Sequence, residues 1–196
     1  MRRTVLIFVL SFFLITPLSF SQTEKNVHFY LGGGAAAAFG DLADISSAAP
    51  FARLGASFKP APFSSPELEI IADFRFSRFV SGDDGYGDVQ FLSAGLEARL
   101  LLSRPGTPGP YITIGGGYAH TVIDEYIYRQ QIGPDSYRER VVPEITEHNP
   151  YLAPGLGYEF GGDKSLRFYV EGRLVNVFGN RIKNMTYVPL TLGLRF

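Results

Sequence analysis

Tyr187-Val188-Pro189-Leu190-Thr191-Leu192-Gly193-Leu194-Arg195-Phe196 closes the chain, and its alternation decides the fold. Val188, Leu190, Leu192, Leu194 and Phe196 fall on one side of an extended chain; Pro189, Thr191, Gly193 and Arg195 fall on the other. A strict period of two marks a β-strand with unlike faces. Soluble domains commonly end in a frayed polar tail, whereas this sequence ends mid-pattern on a phenylalanine. The last strand of a soluble sheet would show the same pattern, so the rest of the chain must choose.

Working back from that strand, seven further segments read as strands: residues 27–39, 50–59, 66–79, 88–102, 110–124, 149–161 and 165–178, with 186–196 as the eighth. No long amphipathic helix and no linker interrupts them. The connections alternate. Those at 60–65, 103–109 and 162–164 are turn-like, while Gly40–Ala49, Val80–Gly87, Glu125–His148 and Gly179–Met185 are more variable and include the one long loop. An even number of up-and-down strands brings both termini to the end with the short turns.

Strand three shows the faces best. Leu68, Ile70, Ala72, Phe74 and Phe76 alternate with Glu67, Glu69, Ile71, Asp73, Arg75 and Ser77. A soluble barrel turns the apolar face inward, and a membrane barrel turns it outward. Three features favour the second. Glycines (Gly115, Gly117, Gly155, Gly157) lie on the polar face, where a narrow lumen filled by side chains needs room. Charges on that face balance: Glu67, Glu69, Asp73, Glu97, Glu159 and Glu171 against Arg53, Arg75, Arg99, Arg167, Arg173 and Arg195. The bases there are all arginine, which suits buried bidentate pairs better than lysine does. Finally, strands in lipid must close on themselves to satisfy every backbone group. Phe29, Phe58, Phe160 and Phe196 near one end and Phe39, Phe79 and Phe178 near the other are expected to form aromatic girdles.

At the start of the chain, Arg2 and Arg3 precede an apolar run from Val5 to Ile15, and Ser19-Phe20-Ser21 offers small residues for cleavage. This predicts a secretory signal peptide over residues 1–21 and a barrel domain over 22–196. Losing two arginines leaves 16 basic residues (18 − 2) against 19 acidic ones, too mild a charge for nucleic acid. With no cysteine, neither disulfides nor a lipoprotein anchor is available.

With these residues in view, the chain resembles the small eight-stranded outer-membrane barrels of the OmpA/OmpX type, a broad group of outer-membrane β-barrel domain proteins. Glycine-aromatic strands such as Gly155-Leu156-Gly157-Tyr158-Glu159-Phe160 and the terminal Leu194-Arg195-Phe196 carry the resemblance. It implies an all-β, closed, antiparallel transmembrane barrel in the outer membrane of a Gram-negative bacterium, monomeric, with periplasmic termini. It also implies that outer-membrane lipid surrounds the wall, and that the barrel assembly machinery reads Val188, Leu190, Leu192, Leu194 and Phe196. Unlike in full-length OmpA, no peptidoglycan-binding domain is expected after the barrel.

The long loop carries two β-prone arms, 125–132 and 137–142, around Gly133-Pro134-Asp135-Ser136. They predict a hairpin beyond the membrane. Tyr126, Tyr128, Arg129, Tyr137, Arg138 and Arg140 are its candidate contacts for an extracellular protein or glycan. A pore is the second reading, opposed by the balanced lumen charge, which predicts a plug. A lipid A-modifying enzyme is the third. It would need a nucleophile and base near the outer leaflet, yet His120 has no serine at a partner position, and no catalytic residue, cofactor or metal site is expected. Three scattered histidines without cysteine argue against a transition-metal site. The Asp83-Asp84-Gly85-Tyr86-Gly87-Asp88 run reads as an acidic turn before it reads as a calcium site. A secreted lipocalin-like barrel with the faces inverted is the alternative architecture.

Overall fold

A computed structural model describes residues 27–60, 67–82, 86–104, 106–133, 136–161, 166–179 and 184–196. The signal peptide expected over residues 1–21, and Asp83, Asp84 and Gly85, lie outside them. The strands among these residues are β1 (Val27–Phe39), β2 (Ala48–Phe58), β3 (Glu67–Phe79), β4 (Val89–Leu101), β5 (Pro110–Ile123), β6 (Tyr126–Gly133), β7 (Ser136–Val142), β8 (Ile145–Phe160), β9 (Arg167–Arg173), β10 (Val175–Val177) and β11 (Met185–Arg195). β6 and β7 form a separate two-stranded hairpin. The others form one antiparallel sheet that closes where β1 pairs with β11, from Tyr30↔Arg195 to Phe39↔Thr186. β9 and β10 are two pieces of a single stave, interrupted at Leu174, so the wall has eight staves.

The stagger of the wall can be read from its partners. Starting at Phe29 and stepping through Ala56, Ala72, Leu96, Gly116, Leu152, Asn176 and Thr186 returns to β1 at Phe39, ten residues along (39 − 29). Ten rises of about 3.3 Å against eight spacings of about 4.8 Å tilt the strands by about 40°. Such a barrel has room for side chains inside and for little else.

Each stave keeps its alternation. Odd-numbered residues from Glu67 to Phe79 are buried, and Ala72, Phe74, Phe76 and Arg78 between them are exposed. The aromatic assignment needs one correction: Phe79 is fully buried inside the barrel, while Phe39 and Phe178 face out. Phe79 shares the parity of Glu67 and Arg75, so its direction follows from alternation, not from its place near a strand end. Strand limits also shift. β2 begins at Ala48 and β8 at Ile145, extending both staves beyond their sequence-predicted starts.

The lumen divides along its length. Toward the termini and through the middle it holds the charged residues. Toward the other end Ala36, Phe51, Phe79, Phe91, Val177 and Tyr187 build an apolar core, with Ser77, Thr121, Glu147 and Asn149 buried among them as polar members. A 3-10 turn at Gly40–Leu42 folds over this mouth. Gly40 takes a left-handed conformation (φ 59°) to start it, and Leu42 enters the apolar core with no exposure.

Candidate functional site

Two ion clusters fill the charged part of the lumen. In the middle, Arg53 donates through Nη1 to Glu171 Oε1 and through Nη2 to Glu97 Oε2, both at 2.9 Å, and its Nε lies 3.3 Å from Asp73. Arg75 donates to Asp73 at 2.6 Å and to Glu97 at 3.4 Å. Arg173 donates to Glu97 and Glu171. Three guanidinium groups thus meet three carboxylates, and each of the six residues is at most 2% exposed. Nearer the termini, Glu159 accepts from Arg99 at 2.8 Å, Arg167 at 3.1 Å and Arg195 at 3.2 Å. Glu69 accepts from Arg195 and from the Tyr30 hydroxyl, the latter at 2.6 Å. An unpaired charge in such a site would cost several kcal/mol, so pairing is the condition for filling the lumen this way.

All twelve charged residues that the alternation puts on the polar face are buried in these clusters or at their rim. The base set needs a correction: Lys59, just past the end of β2, pairs with Glu67. Lysine is tolerated there because its stem can lie along the wall while the ammonium stays at the rim. The tyrosines that complete the network are readable from the sequence only as polar-face residues. Arg99 Nη1 donates to the Tyr30 hydroxyl at 2.7 Å, and its guanidinium lies 3.5 Å from the centre of the Tyr111 ring. Tyr111 donates onward to Glu171 at 3.1 Å, joining the two clusters.

Glycines let these rings lie flat along the rungs of the sheet. Gly32, Gly193 and Tyr169 are successive partners across β1, β11 and β9. A Cβ on Gly32 or Gly193 would sit 2.4 Å from Tyr169 ring or hydroxyl atoms. The sequence pattern of glycine beside aromatics is therefore a set of slots cut for tyrosine.

The outer wall is the reverse of the lumen. Phe74, Leu96, Ile114, Leu156, Leu190 and Leu192 are each 57–69% exposed. The terminal strand contributes to it: Leu190, Leu192 and Phe196 are exposed and Val188 and Leu194 partly so. Phe196 exchanges both backbone hydrogen bonds with Phe29, at 2.7 and 3.0 Å, so the final residue completes the seam.

At the end opposite the termini, the β6–β7 hairpin rises between β5 and β8. Its register sorts the candidate contacts by face. Tyr126, Tyr128, Arg138 and Arg140 share one side, with Arg140 opposite Tyr128 and Arg138 opposite Gln130. Arg129 and Tyr137 share the other, where Arg129 is neutralised by Glu139 at 2.9 Å. Tyr128 and Tyr137 are exposed, and Tyr126 instead turns toward the mouth, its ring 6.4 Å from that of Tyr86. Asp88 of the acidic turn is engaged by Arg78 at 2.9 Å and by the Ser81 amide at 2.9 Å. Among the described residues no group of three or more His, Cys, Asp or Glu side chains is arranged to hold a metal. His120 stands directly across from His148, a juxtaposition set by strand register that sequence spacing does not display.

No protein-family model and no curated protein matches the sequence. Among solved structures the chain is similar to Neisserial surface protein A, with a TM-score of 0.58 and 15% identity over 89% of this chain and 98% of that one. It is also similar to Ail, the attachment invasion locus protein of Yersinia pestis, with a TM-score of 0.51 and 14% identity over 87% and 99% of the two chains. These neighbours are small outer-membrane barrels of eight strands, and the chain has their fold.

Proposed function

We propose that the protein is an integral outer-membrane barrel with a closed lumen, whose task is contact at the cell surface through the β6–β7 hairpin. The inversion of its faces carries the first part. Leu156 on the outer wall is 69% exposed, while Arg53 and Glu97 inside are 2% exposed. Water does not select that arrangement, because it leaves apolar area wet and costs the desolvation of every charge. Lipid does select it. With the termini in the periplasm, the hairpin stands outside the cell.

The test is electrophoresis of the outer-membrane fraction, unboiled and boiled, with planar-bilayer recording of the same material. A heat-dependent mobility shift and no porin-sized conductance step are expected. Recovery as a soluble protein without a shift would invert the face assignment, and large steps would refute the plug.

Surface contact rests on the hairpin itself. Among the described residues it offers exposed tyrosines, a cationic face without opposing carboxylates, and two outer edges not paired to the barrel. Such an edge can accept a strand from a partner, and tyrosine with arginine suits a glycan or an acidic protein surface. One fold neighbour is named for attachment and invasion, which is a property of that protein; here residues 126–142 carry the contact role. Deleting residues 127–140 should leave the heat-modifiable barrel intact and abolish cell-surface binding of the partner. Full retention of every surface interaction in the deletion strain would sink the contact role.

A further inference from the structure

We infer that His120 and His148 form a two-imidazole site on the outer wall for a divalent transition-metal ion of the Zn2+ or Cu2+ class. The residues are direct cross-strand partners on β5 and β8, and their rings lie 4.7 Å apart with an interplanar angle of 37°. With metal–nitrogen bonds of about 2.0 Å, a bound ion sits roughly 3.2 Å from a ring centre. Two centres 4.7 Å apart then subtend roughly 95° at the ion, between square and tetrahedral coordination. The paired strands fix both backbones in register, so binding has only the two side-chain rotamers left to order.

A second observation points the same way. Nδ1 of His120 is shut off from solvent and meets no hydrogen-bond partner. Buried ring nitrogens ordinarily have one, and turning the ring toward His148 would give this one a metal ion as its partner. The rung below is Tyr118↔Pro150, and Phe178 donates its amide to the Pro150 carbonyl at 2.9 Å. The histidines therefore stand just beyond outward-facing aromatics, Tyr118 and Phe178. In a bilayer that is the level of the headgroups. Two protein ligands leave the remaining coordination positions to water or to anionic oxygens, which a phosphate-rich surface provides. None of these ligands comes from the hairpin.

The experiment uses the tag-free, folded protein in detergent micelles, titrated with Cu2+ and followed by calorimetry and electron paramagnetic resonance. One equivalent is expected, with coupling to two imidazole nitrogens. His120→Ala and His148→Ala should each weaken binding by about tenfold or more and remove one nitrogen. His28→Ala, on another strand, should change neither. Folding of each variant is read from the unboiled gel, with His120→Asn and His148→Asn as closer replacements. A wild-type spectrum without two coupled nitrogens overturns the inference outright, as does unweakened binding by a folded His120 or His148 variant.

Discussion

Replacing Glu97 with alanine should destabilise the barrel by about 3–5 kcal/mol, the range for breaking a buried ion pair from one side. Glu97 Oε2 accepts from Arg53 at 2.9 Å, Arg75 at 3.4 Å and Arg173. Without it, three guanidinium groups share Asp73 and Glu171, leaving one positive charge in a site closed to water. Glu97→Gln keeps the shape but loses the charge, so it should be nearly as damaging. The exposed Arg129–Glu139 pair is the contrast: Arg129→Ala should shift stability by less than about 1 kcal/mol. Urea unfolding in lipid vesicles, read by the heat-modifiable band, measures all three. Equal midpoints for wild type and Glu97→Ala would show that the clusters do not hold the lumen together.

The second large effect is expected at Gly193. A methyl group there would lie 2.4 Å from the Tyr169 ring and 2.5 Å from the Leu31 carbonyl oxygen. The ring is buried between β1 and the ion clusters, and the carbonyl belongs to the seam that closes the barrel, so neither can retreat cheaply. Gly193→Ala should therefore cost up to about 3 kcal/mol, the upper end for overpacking. Adding Tyr169→Ala should remove the ring contact and leave the carbonyl contact, so the double variant should be less unstable than the two single costs summed. Gly172 is the internal control, because nothing lies within 4 Å of a Cβ built on it. Gly172→Ala should fold normally. If Gly193→Ala refolds with an unchanged urea midpoint, the slot for Tyr169 is not required.

Much of the fold is legible in the sequence, because a barrel wall imposes one rule, period two, over its whole length. Alternation gives each residue a face, and by itself it puts Glu69, Arg99, Arg195 and their companions on one side. Two kinds of information escape it. The first is height along the barrel: Phe79 shows that a residue near a strand end can line the mouth instead of girdling the wall. The same gap hides the apolar core, since Leu42 enters it from a 3-10 turn within what reads as a loop. The second is register between staves. His120 and His148 are 28 residues apart in sequence (148 − 120) and become neighbours only through the pairing of β5 with β8. Gly32 and Gly193 line up beside one tyrosine for the same reason.

The division of the lumen has a consequence for how the wall could enter a bilayer. In the orientation proposed, the loop ends of the staves cross first. Their inward residues are mostly apolar, Phe51, Phe79, Phe91 and Val177 among them, and the charge buried there in the described residues is a carboxylate, Glu147, with no arginine beside it on the inner face. An arginine crossing the midplane costs about 2–4 kcal/mol, and the clustered arginines stand in the middle and trailing parts of β2, β3, β4, β9 and β11. They meet their carboxylates as the staves come together, without each having been carried across alone. The polarity gradient along the staves is thus also a direction of travel.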